Sequence, residues 1–141
     1  MKKIRVLLAD DSDKLLTALR IQLEARGFEI ETCSDSYMAL ARAQKLRPDV
    51  MVLDIRMPAG DGFSVLERMK NIPEIRDIPV IFITGDQSFQ LDLRAEELGA
   101  VGLIHKPISI SVLFKMLNAA AFRKQAQIAG TEEAEILRLG E

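Results

Sequence analysis

The chain has no tryptophan, one tyrosine, one histidine and a single cysteine among its 141 residues. One cysteine excludes any disulfide framework within the chain, so stability must come from a packed core. Cys33 lies in an alternating apolar stretch and is expected as a small, half-buried side chain without reactive chemistry. Long apolar runs are absent as well. Val6-Leu7-Leu8-Ala9 stops at two aspartates, too short for a signal peptide and far too short to span a membrane. The expected compartment is the cytoplasm, with no membrane partner. A basic surplus is also missing: 19 Lys and Arg face 21 Asp and Glu, a net charge of −2. Direct nucleic-acid binding, which rests on neutralising phosphates, is therefore not expected. What remains is 48 % hydrophobic and 28 % charged residues, the composition of one ordinary globular domain.

Short β-type runs alternate with amphipathic helical runs. The predicted strands are Ile4–Ala9, Glu29–Cys33, Val50–Asp54, Val80–Thr84 and Gly102–His105. The first, third and fourth are nearly continuous apolar runs, as parallel strands covered on both faces require. The second places Ile30 and Thr32 between glutamates, which suits a sheet edge. Leu15, Leu16, Leu19 and Leu23 predict a first helix, stopped by Gly27. Ser36 is the expected cap of a second helix, reaching about Lys45 before Pro48 extends the chain. A third helix is predicted from about Phe63 to Lys70. A fourth carries Leu91, Ala95 and Leu98 inward and ends at Gly99. A fifth begins near Ser109 and buries Leu113, Met116, Leu117 and Ala120. Five strands alternating with five helices predict a doubly wound α/β domain with right-handed crossovers. Ligands in such folds sit at the carboxyl ends of the strands, where strand order reverses.

The last eighteen residues, 124–141, differ from the rest. They hold two basic and four acidic groups, which leaves seventeen of each sign in residues 1–123. Thr131, followed by Glu132 and Glu133, reads as the capped start of a short helix. The segment is expected as a helical extension or as a linker to an output module absent from this chain. Its apolar Ile136, Leu137 and Leu139 permit a homodimer without requiring one.

Asp10 and Asp11 follow the first strand and Asp54 ends the third. These strands are neighbours in a doubly wound sheet, so the three carboxylates converge. Any one aspartate after a strand commonly makes a turn or caps a helix. Three together are harder to dismiss, because like charges ~4 Å apart repel by about 4 kcal/mol at an effective dielectric near 20. A hard divalent cation relieves that repulsion, and Mg²⁺ (or Mn²⁺) prefers oxygen ligands and keeps waters that a phosphate can replace. An aspartate beside it can attack phosphorus and form an acyl phosphate. Thr84 closes the fourth strand with a hydroxyl for a phosphoryl oxygen, and Gly85 leaves room for entry. Lys106 closes the fifth with an ammonium, and Pro107 turns the chain immediately after it.

An acidic pair after strand one, Asp ending strand three, Thr ending strand four and Lys-Pro after strand five resemble the response-regulator receiver domain of two-component systems. The stretch VLDIRMPAGDGFSVLERMK, with Met57-Pro58 and Gly62, is similar to that family's phosphorylation-site segment. The resemblance covers about residues 3–123, so the expected organisation is a receiver over 1–123 and an extension over 124–141. It implies a flavodoxin-like three-layer sandwich with a five-stranded parallel sheet in the order 2-1-3-4-5. It further implies Asp54 as the phosphorylated residue and Asp11 as a direct Mg²⁺ ligand. Asp10 would bind mainly through water, with the backbone carbonyl of Arg56 completing the protein ligands. Thr84 and Lys106 would contact the phosphoryl group and pass its arrival to helix four, strand five and helix five. A histidine kinase or histidine phosphotransfer protein would dock on helix one and the loop after strand five. Such a domain catalyses only its own phosphorylation and slow dephosphorylation, and is not an enzyme in the usual sense.

One departure matters. The family often has an aromatic three residues before the lysine, and here that position is Leu103. An aromatic switch cannot operate there. His105 is a substitute only in the less favoured reading; the favoured one is an ordinary half-exposed strand residue. Arg56 and Asp86, each two residues beyond a site residue, would pair across the pocket mouth and slow attack by water. The alternatives are weaker. A dehalogenase-type phosphatase needs an aspartate two residues after the nucleophile, where this chain has Arg56. A nucleotide-binding domain needs a glycine-rich loop after strand one, where ADDSDK repels pyrophosphate. A degenerate receiver acting only as an interaction module conflicts with the complete set Asp10, Asp11, Asp54, Thr84 and Lys106.

Overall fold

Val50–Asp54 and Val80–Thr84 are runs in which every residue is buried. A strand buries both faces only inside a sheet that has helices on each side. The computed structural model describes residues 2–123 and has that arrangement. Its elements run β1 (Arg5–Ala9), α1 (Asp13–Ala25), β2 (Glu29–Cys33), α2 (Ser36–Leu46), β3 (Val50–Asp54), α3 (Gly62–Met69), β4 (Val80–Thr84), α4 (Phe89–Glu97), β5 (Gly102–His105) and α5 (residues 110–123). The strands form one parallel sheet in the order β2-β1-β3-β4-β5, as the resemblance implied.

Alternation along the strands separates two cores. Leu7, Ala9, Met51, Leu53 and Phe82 point to one face, where they pack with Ala39 and Ala43 of α2, Val65 and Met69 of α3, and Ala95 of α4. Val6, Leu8, Val50, Val52, Ile81 and Ile83 point to the other, against Leu16, Leu19 and Leu23 of α1 and Leu113 and Leu117 of α5. This is the three-layer sandwich. Each fully buried leucine or isoleucine contributes about 1.5–3 kcal/mol, so the two cores hold the strand ends firmly in register.

Three local expectations need correction. The cap of α2 is Asp35, whose carboxylate accepts from Met38 N–H at 2.7 Å. Ser36 is the first helical residue, and its buried hydroxyl donates to the Pro58 carbonyl at 3.1 Å. Cys33 is 5 % exposed rather than half-buried, because α2 covers that face of the edge strand, and burial pushes its thiol up to about 11. The third helix starts at Gly62, one residue early, with Asp61 as its cap. Gly27 does stop α1, at φ 93°, a left-handed conformation that glycine adopts without cost. No helix among the described residues is long and apolar enough to cross a membrane. Thr131 and the apolar residues Ile136, Leu137 and Leu139 lie outside the described residues.

Candidate functional site

Because β1 and β3 pair directly, with Ala9 opposite Leu53, the residues that follow them emerge side by side. Asp10, Asp11 and Asp54 each offer a carboxylate oxygen, and these atoms lie within 4.8 Å of one another. Asp10 is fully buried. One of its oxygens accepts from Ser12 N–H at 2.8 Å and the other from Lys106 Nζ at 2.8 Å. Asp54 is 4 % exposed; its Oδ1 accepts from Arg56 N–H at 3.1 Å and its Oδ2 from Lys106 Nζ at 3.1 Å. Asp11 is exposed at the rim. One ammonium thus serves two buried carboxylates.

Burial raises the Asp54 carboxyl above its ordinary value, and the charge of Asp10 adds to this. The Arg56 N–H and Lys106 work against the rise without cancelling it. Burial pulls Lys106 down, but its hydrogen bonds to Asp10 and Asp54 and their charges outweigh that and raise it overall. The three carboxylates and one ammonium sum to a charge of −2 when ionised.

Backbone hydrogen bonds fix this geometry. Lys106 N–H donates to the Thr84 carbonyl at 2.7 Å, which ties the ends of β4 and β5 together. The following Lys106–Pro107 peptide is cis. Gly62 N–H donates to the Ile55 carbonyl at 2.8 Å, and a Cβ added at Gly62 would lie 2.6 Å from the Asp54 carbonyl oxygen. Only glycine lets α3 start so close to Asp54. At the cleft itself, a Cβ at Gly85 would meet nothing closer than Lys106 Cδ at 4.0 Å. Asp11, Asp54, Arg56, Gly85, Asp86 and Lys106 line an open cleft of about 440 Å³.

Thr84 is fully buried, and its hydroxyl oxygen accepts from Asp86 N–H at 3.1 Å. Asp86 carries the expected partner of Arg56, with 2.6 Å between guanidinium and carboxylate. Its carboxyl is held below the usual range, first by Ser88 N–H and then by Arg56. Leu103 is partly buried in the core on the α4 side. His105 differs from its expectation. It is half-buried, but its ring contacts the Asp86 carbonyl and the Asp92 carboxylate, which makes it a junction rather than a bystander. The sequence held no signal for this, since Asp92 reaches the ring only through the packing of α4 beside β5.

A doubly wound domain with a buried acidic pocket at its switch point, closed by the lysine that follows the last strand, is the architecture of a signalling receiver. The chain belongs to the response regulator receiver domain family, whose family model matches residues 6–118. It is 36 % identical over 115 residues to the response regulator PleD of Caulobacter vibrioides, covering 82 % of this chain and 25 % of that protein. It is 33 % identical over 136 residues to the transcriptional regulatory protein PrrA of Mycobacterium leprae, covering 96 % of this chain and 57 % of that one. Among solved structures, the chemotaxis response regulator CheY4 of Vibrio cholerae superposes with a TM-score of 0.77 at 30 % identity. That match covers 84 % of this chain and 99 % of the other. The chain therefore spans a quarter to a little over half of the curated relatives named here, while the chemotaxis regulator is matched over nearly its whole length.

Proposed function

We propose that residues 1–123 form a cytoplasmic receiver that takes a phosphoryl group onto Asp54 from a phosphohistidine of a histidine kinase or phosphotransfer protein. A carboxylate oxygen of Asp54 attacks phosphorus, the phosphorus–nitrogen bond breaks, and the electron pair leaves with the imidazole. The acyl phosphate persists until water attacks it, so the chain promotes only its own phosphorylation and dephosphorylation. The observation that carries this reading is the shared Lys106 ammonium, bonded to Asp10 and Asp54 within one family-matched pocket.

The donor set fits a hard divalent cation: oxygen ligands only, and a charge of −2 to offset. Asp11, Asp54 and the backbone carbonyl of Arg56 would hold Mg²⁺ or Mn²⁺ directly. Both oxygens of Asp10 already accept hydrogen bonds, which suits a water-mediated role. Bound there, the cation supplies charge neutralisation for the incoming phosphoryl oxygens. Lys106 and the Thr84 hydroxyl then bind those oxygens and orient them. The Arg56–Asp86 pair spans the mouth and lengthens the lifetime of the acyl phosphate by hindering water. The docking face for the donor is α1 with the loop after β5, and the output face is α4, β5 and α5.

Incubation with a small-molecule phosphodonor and Mg²⁺, read by intact mass, tests the reading. The expected result is one phosphoryl group on the native chain, none on Asp54→Asn and none in chelator. Failure of the native chain to gain mass would leave an interaction module. Steady turnover of a generic phosphomonoester would instead indicate a phosphatase.

A further inference from the structure

We infer that His105, bridging Asp86 and Asp92, carries the state of the phosphoryl site to α4 in place of an aromatic at position 103. This rests on Asp54 being the acceptor. The starting observation is Asp86, which is bonded through four atoms to four parts of the molecule. Its N–H donates to Thr84 Oγ1 at 3.1 Å, and its carbonyl lies 2.9 Å from His105 Nδ1. One carboxylate oxygen accepts from Ser88 N–H at 2.9 Å and the other from Arg56 at 2.6 Å. The strand end, the last strand, the start of α4 and the β3–α3 loop therefore meet at one residue.

His105 extends that junction into α4. It is the register partner of Thr84 on β5, and its Nε2 lies 3.1 and 3.3 Å from the two carboxylate oxygens of Asp92, in the first turn of α4. Both ring nitrogens face oxygens that can only accept. Each contact is a hydrogen bond only when its own ring nitrogen carries a proton, so the bridge is complete only with both nitrogens protonated. The charged groups around it are Asp92 from α4, Asp86 with its partner Arg56 from the two loops, and Lys106, the residue that follows it in the chain. At the start of α4, the N-cap Ser88 makes no side-chain cap hydrogen bond, and its own N–H is held by Asp86. Leu103, an aliphatic packed in the core, offers no polar contact of this kind.

A phosphoryl group on Asp54 acts on the junction twice. Its oxygens draw the Thr84 hydroxyl away from Asp86 N–H, and their charge competes with Asp86 for Arg56. Asp86 then shifts, its carbonyl leaves His105 Nδ1, and the first turn of α4 is released. That turn carries Phe89 and leads into Leu93, exposed apolar residues with 71 % and 46 % of their surface in solvent. His105 is a positioning residue here; it touches neither phosphorus nor the acceptor.

His105 is the chain's only histidine, so its ring signals in nitrogen-resolved NMR are unambiguous. At mildly acid pH the unphosphorylated protein is expected to show both ring N–H signals, slowed in exchange. Phosphodonor and Mg²⁺ should abolish the Nδ1 signal in the same sample in which intact mass records one phosphoryl group. His105→Leu and Asp92→Ala should still gain that mass. Their α4 amide resonances should move several-fold less on phosphorylation than those of the native chain. Ring signals unchanged in a sample that has gained the mass would overturn the coupling and leave the acceptor reading standing. Full α4 shifts in both variants would do the same. No mass gain in the native chain would overturn the acceptor reading and the coupling with it.

Discussion

The ends of β1 and β3 and the loops beyond β4 handle charge in opposite ways. Beside β1 and β3, two buried carboxylates share one lysine, and burial leaves Asp54 raised and ready for a compensating cation. Around the β4–α4 loop, Arg56 pairs with Asp86 and His105 with Asp92, and these side chains keep 29–74 % of their surface in water. Charge matters for stability where water is excluded, because a lost partner leaves an ion uncompensated. At the exposed pairs, water replaces a lost partner at little cost.

The sharpest way to break this comparison is Asp54→Asn, which should eliminate phosphoryl uptake altogether, as read by intact mass. Next is Lys106→Met. In chelator it should lower the urea-unfolding free energy by about 2–3 kcal/mol, since both buried carboxylates lose their cation; saturating Mg²⁺ should recover much of that. The third test is pH. The folded value of Asp54 lies above its ordinary 3.8, so between the two values the native state holds more proton than the unfolded chain. Its contribution to stability is therefore present at low pH and is lost as pH rises through the folded value. Urea titrations in chelator should show this slope in the native chain, and Asp54→Asn should remove it. Lys106 does not interfere: its folded value lies above 10.5, so its contribution persists to strongly alkaline pH. The smallest effect on stability belongs to the paired variant Arg56→Ala with Asp86→Ala. Its unfolding midpoint should match the native one while dephosphorylation, followed by mass over time, speeds several-fold. An unchanged rate would mean that the pair does not shield the acyl phosphate.

The buried region was largely legible in the sequence, and the exposed one only in part. Apolar runs such as VMVL and VIFI announce strands covered on both sides, and a charged residue that ends such a run must emerge at the sheet edge. Asp54 could be placed from that alone, whereas Thr84 and Lys106 needed the pattern of all the strand ends together. Strand period does not say which of two adjacent capping residues takes the cap, so Asp35 was passed over for Ser36. Nor does it say that an edge strand is covered on one face, so Cys33 was expected half-buried. His105 was hidden for a deeper reason. Its two contacts depend on the angle at which α4 settles on the sheet, and that angle is a property of the whole fold.

The two glycines beside Asp54 and Lys106 differ in how much room each leaves. Gly62 stands so near the Asp54 carbonyl that any larger residue must push α3 off the strand, whereas Gly85 has ordinary van der Waals clearance. Anyone wishing to choose which phosphodonors enter, admitting a small metabolite but refusing a bulkier one, therefore has a single adjustable side. Alanine or serine at 85 narrows the entrance with the floor undisturbed, and the wall at 62 tolerates no such change.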